Sequence, residues 1–174
     1  MPHRSKSFFF FLLAVLCFPL LHFGDDEQLK AALKKYEGRW VGEFTLHSAA
    51  TGYTETFPVE QQYWWKDGEL RGVAVSQRDD GLQSSRSRSF VNEGTIVSEV
   101  KQASDEERFI GVMHEGGIVW LPSDPQRAEG YQMKDTIEEA NGGERVLKTE
   151  GFDTYVVQGE VAHVVYRGKL VFSE

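Results

Sequence analysis

From Trp40 to the C-terminus, hydrophobic and polar positions alternate in short runs. Trp40, Gly42, Phe44 and Leu46 fall on one face of the first run, with Glu43, Thr45 and His47 on the other. Phe57, Val59, Gln61, Tyr63 and Trp65 alternate in the same way with Glu60, Gln62 and Trp64. Turn-forming pairs punctuate the runs: Asp67-Gly68, Asp80-Gly81, Glu93-Gly94, Ser104-Asp105, Gly116-Gly117, Gly142-Gly143 and Gln158-Gly159. The earlier pairs recur about every 11 to 13 residues, the spacing of antiparallel strands joined by tight hairpins. The runs number about ten, and nothing of helical length separates them, which excludes a parallel βαβ architecture. So many strands in one small domain leave exposed edges unless the sheet closes on itself. The pattern therefore predicts an all-β fold, a single closed antiparallel up-and-down β-barrel of about ten strands with a short N-terminal helix.

The helix is predicted from Asp25, a capping residue with Gln28 three positions on. Leu29, Ala32, Leu33 and Tyr36 share one helical face, Lys30, Lys34 and Lys35 take the other, and Gly38 is placed to terminate it. Between Pro122 and Gly130 strand character lapses. Pro122 and Pro125 cannot donate to a ladder, so this stretch is expected to be the longest loop.

Ahead of the helix, residues 1–24 form a separate object. Arg4 and Lys6 precede an unbroken apolar stretch, Phe8–Leu21, too short to span a bilayer as a helix but suited to a signal-peptide core. Residues 1–24 are read as a signal peptide or, because His22 and Gly24 make a poor cleavage site, as an N-terminal anchor. The protein is expected to be exported, to a periplasmic or extracellular location. Residues 25–174 then form the barrel domain, with 17 basic and 27 acidic side chains and a net charge of −10. That balance argues against nucleic acid and anionic membrane surfaces as partners. The only cysteine, Cys17, lies in the apolar leader, so disulfides and thiolate chemistry are excluded from the domain.

Gly38-Arg39-Trp40, entered from a short helix, resembles the Gly-x-Trp signature of lipocalins and other calycin-type barrels. In that superfamily the Trp closes the barrel floor beneath an Arg from a late strand, which implies Gly38, Trp40 and Arg167 as the closure here. A guanidinium stacked on an indole contributes about 0.5–2 kcal/mol. Gly38-x-Trp40-x-Gly42 also resembles the opening of nitrobindin-type haem barrels and of uncharacterised bacterial exported barrel proteins. Lipocalins have eight strands, fewer than this chain, and nitrobindin-type barrels carry a Gly where Phe44 stands.

Aromatic residues are spread over many strands: Tyr63, Trp64, Trp65, Phe90, Trp120, Tyr131, Phe152 and Tyr155. A barrel of this strand number has room for a small ligand or a filled core. Phe44, Trp65, Phe90, Trp120 and Phe152 are nominated as cavity lining, with His163 as the polar contact. Ser85-Arg86-Ser87-Arg88-Ser89 alternates strictly. Its arginines either face inward, toward an anionic ligand head, or face solvent and leave the serines to line an interior space. There is no Gly-x-Ser-x-Gly elbow, phosphate loop or His-Glu-x-x-His motif, and the acidic clusters lack calcium-loop spacing. No metal site and no enzymatic activity are expected. The expected function is non-covalent binding of a small hydrophobic or amphipathic molecule in the barrel interior. Two alternatives stand beside it: a solidly packed, ligand-free envelope protein that meets a partner, and a haem-binding barrel using His163.

Overall fold

The computed structural model describes residues 25–103, 105–140, 142–157 and 160–174. The expected export segment 1–24, Ser104 and the Gln158-Gly159 turn lie outside the described residues. A helix, α1 (Asp26–Lys34), leads into ten strands. They are β1 (Gly38–Ser48), β2 (Thr54–Lys66), β3 (Glu69–Arg78), β4 (Gly81–Asn92), β5 (Thr95–Lys101), β6 (Glu106–His114), β7 (Gly117–Pro122), β8 (Tyr131–Glu139), β9 (Arg145–Val157) and β10 (Glu160–Ser173). A one-turn helix, α2 (Pro125–Ala128), lies between β7 and β8. Each strand pairs antiparallel with the next, and β1 also pairs with β10, so the sheet closes as an up-and-down barrel. No helix among the described residues is long and apolar enough to cross a membrane.

Three two-residue hairpins turn on consecutive residues of positive φ: Asp67-Gly68, Glu93-Gly94 and Glu115-Gly116. That pair of torsions matches the twist of the flanking strands. The third turn sits one residue earlier than the expected Gly116-Gly117, and Gly117 instead opens β7.

Asp25 caps α1 by accepting from the Glu27 amide at 3.2 Å. Leu29, Ala32 and Leu33 are buried against one end of the barrel, and Asp26 accepts the Gly94 amide at 3.1 Å, tying the helix to the β4–β5 hairpin. Gly38 does not terminate the helix, which ends at Lys34. It starts β1 with φ +121°, where a Cβ would run into the Phe172 ring. Trp40, Ile96, Ile118, Leu147 and Leu170 complete the core at this end. The loop expected over Pro122–Gly130 contains α2, capped by Asp124 and begun by Pro125. Arg127 in that turn reaches Glu107 at 3.0 Å and Asp153 at 2.8 Å, fixing α2 to the barrel end opposite α1.

Candidate functional site

Among the described side chains, those of even number in β1, β3, β5, β7 and β10, and of odd number in β2, β4, β6, β8 and β9, point into the barrel. They enclose a cavity of about 220 Å³. An adjoining space of about 190 Å³ shares Phe44 and Gln61 with it and reaches Gln83 and Gln102, exposed at the end opposite α1. Strands β6–β9 supply one wall, with Phe109, Trp120, Tyr131, Met133, Asp135 and Thr149. Strands β3–β5 supply the other, with Leu70, Ser87, Ser89, Ser98 and Val100. Leu33 and Tyr36 close the space from α1 and the turn after it. Aromatic rings lie flat where the neighbouring strand carries glycine: a Cβ at Gly72 would strike Tyr63, at Gly111 Trp120, and at Gly168 Phe44.

Asp135 is the acidic group on this wall. Register places it opposite Thr149 and diagonal to Trp120, and α1 delivers Tyr36 from the floor. Its carboxylate accepts from Thr149 Oγ1 at 2.6 Å, Trp120 Nε1 at 2.9 Å and Tyr36 Oη at 3.4 Å. No lysine, arginine or histidine among the described residues lines the cavity. Burial pushes the Asp135 carboxyl above the ordinary carboxylate range, and its three donors pull it part of the way back. Tyr36, Tyr63 and Tyr131 are pushed upward as well, first by burial and then by the Asp135 charge, so their phenols are neutral at physiological pH. Across the cavity, Ser89 donates to Ser98 at 2.9 Å. A desolvated carboxyl group, neutral donors and aromatic faces thus bound one void.

Of the residues nominated from sequence, Phe44 and Trp120 line this cavity. Trp65 points inward but sits at the floor, where the Lys34 ammonium lies 5.6 Å from its ring centroid. Phe90, Phe152 and His163 require correction, because each occupies an outward position of its strand. Phe90 pairs with Val97 on the outer face and carries the Arg88 guanidinium 5.3 Å from its ring centroid. Phe152 stands between Gln132 and Val165 on the outside. His163 is exposed, its Nδ1 3.2 Å from Thr154 Oγ1, so its imidazole does not reach the interior. Arg167 shares that outer face and does not close the floor. Closure falls instead to Arg145, at the start of β9, whose guanidinium lies 5.1 Å from the Trp40 ring centroid and 4.6 Å from that of Phe172. Arg145 also donates to the Lys35 carbonyl, locking α1 onto the floor. Trp40 is fully buried and donates its indole N–H to the Tyr36 carbonyl at 2.7 Å.

Asp135, Thr149, Tyr36 and Phe109 escaped the sequence nominations, and Tyr63 and Tyr131 stood only in the wider set of strand aromatics. A signal for Asp135 was present: in Tyr131, Met133, Asp135 and Ile137 an otherwise apolar face is interrupted by one acid. Another signal excluded Phe90, since Ser85, Ser87 and Ser89 facing inward force Phe90 outward with Arg86 and Arg88. No protein-family model matches the chain, and no curated protein matches it.

Proposed function

We propose that the barrel holds a small, mostly apolar molecule non-covalently in its interior, in the manner of calycin-type barrels. The observation that carries this reading is the hollow interior itself, aromatic on one wall and lined by small serines on the other. A core that served stability alone would fill that volume with side chains. Apolar area removed from water contributes about 25 cal/mol per Å². The hydroxyls, Gln61 and Asp135 give the occupant its orientation. Resemblance to calycin barrels gains support from the floor, where a cation lies against Trp40 although a different arginine supplies it. The haem alternative loses its support with His163 on the outer face. Export remains part of the proposal and rests on the composition of residues 1–24.

Native mass spectrometry of protein isolated from its own host, repeated after denaturation, tests the reading. A mass excess released by denaturation is expected. It should vanish in Ser87→Phe, which fills the cavity while the barrel stays folded. A mass excess that survives the filling puts the ligand elsewhere. A bare polypeptide mass in the wild type removes the reading.

A further inference from the structure

Resting on the proposed interior site, we propose that its occupant is an organic cation, an amine-bearing aromatic or aliphatic molecule whose ammonium group pairs with Asp135. The argument begins with what Asp135 lacks. Three inward acids toward the α2 end have a basic partner: Glu55 pairs with Arg78 at 2.5 Å, and Glu107 and Asp153 pair with Arg127. Asp135 has no ion pair among the described residues, yet it sits mid-barrel, where an uncompensated charge costs most.

Its three partners are neutral, and Trp120 Nε1 can only donate, so they hold the carboxyl group in place and offset part of its burial without supplying a counter-charge. Two of the three converge on Oδ2, which leaves Oδ1 with a single donor and capacity for a second. The rings around it suit a cation equally well. Tyr36 and Tyr63 meet edge to face at 5.9 Å, and Phe109 and Tyr131 lie 5.3 Å apart, so aromatic faces and a carboxylate bound the same void. Aromatic faces attract cations and repel anions. With no basic side chain on the lining, an anionic ligand would meet only a like charge. The carboxylate has already lost its water in folding, so an arriving ammonium bears only its own desolvation and gains a strong, oriented pair. A void of about 220 Å³ limits the occupant to a molecule of roughly one ring and a short chain.

Isothermal titration of the full chain with 2-phenylethylamine, 2-phenylethanol and phenylacetate separates charge from shape, because the three share one apolar body. The amine is expected to bind at least about tenfold tighter than the alcohol, and phenylacetate weakest of all. Asp135→Asn should bring the amine down to the affinity of the alcohol and leave the alcohol within about twofold. In the wild type, acidification should weaken the amine, as Asp135 takes up its proton, and leave the alcohol unchanged; this arm needs no variant to fold. An alcohol that binds as well as the amine, or an amine affinity indifferent to pH and to Asp135→Asn, overturns cation recognition and leaves the apolar-cavity reading standing. Failure of all three probes to bind also overturns it. The released mass from host-derived protein judges the wider reading separately.

Discussion

At the α1 end of the barrel, Trp40, Leu147 and Leu170 are at most 2% exposed, and α1 lays Leu29, Ala32 and Leu33 over them. At the α2 end, closure depends on ion pairs: Arg78 with Glu55, and Arg127 with Glu107 and Asp153, the arginines remaining partly exposed. The difference lies in how each closure responds to strain. Apolar burial is non-directional, scales with area and is not weakened by charge screening, so the floor behaves as one block. Ion pairs whose arginines stay partly exposed are more open to screening by salt and are lost one at a time. The α2 end is therefore where a ligand held as proposed would enter and leave, and the adjoining space beside Gln83 and Gln102 leads there.

The largest effect should come from breaking the floor. Trp40→Ala is expected to destabilise the protein by about 3–5 kcal/mol in urea denaturation, with reduced cooperativity. A loss under about 1 kcal/mol would mean that the floor is not the stability centre. At the other end, Arg127→Ala leaves Asp153, almost fully buried, without its cation, and should cost about 1–3 kcal/mol. On the proposed binding function, the same variant should speed release of the occupant in stopped-flow dissociation, whereas Trp40→Ala should not do so selectively. Smaller again, Arg145→Gln should lower stability by about 0.5–2 kcal/mol, and Arg167→Gln by almost nothing. Equal losses would show that the cation over Trp40 contributes no more than a surface residue.

The last test concerns the space between the two ends. Because the folded state raises the Asp135 pKa above its unfolded value, the native protein binds a proton more readily than the unfolded chain. Stability linked to Asp135 is thus fully present at low pH and declines as pH rises from the ordinary carboxylate range through the raised folded value. Urea midpoints of wild type and Asp135→Asn, measured from about pH 7 to about pH 4, should change in the wild type's favour on acidification. Parallel curves would mean that Asp135 is not desolvated.

Alternation along the chain was enough to specify the barrel. Period-two runs, the Asp67-Gly68 and Glu93-Gly94 turns and the capped helix are local properties, and the structure follows them. The same alternation assigns each residue to one of two faces, and it placed Phe44 and Trp120 on the side that turned out to be internal. It does not say which face is inside. Phe90 and Phe152 are as apolar as any core residue, yet packing against Val97 and Val165 on the outer surface accommodates them. His163 and Arg167 share a parity, as their spacing requires, and the parity is outward.

What only the tertiary structure decided is which distant residues meet. Arg145 replaces Arg167 over Trp40 because closure of β1 against β10 brings the start of β9 over the floor. Asp135 acquires Trp120, Thr149 and Tyr36 from three separate elements, through strand register and the seating of α1. Periodicity reports how a residue relates to its chain neighbours. A site of this kind is made by contacts between residues as far apart as Tyr36 and Asp135, and those exist only once the sheet has closed.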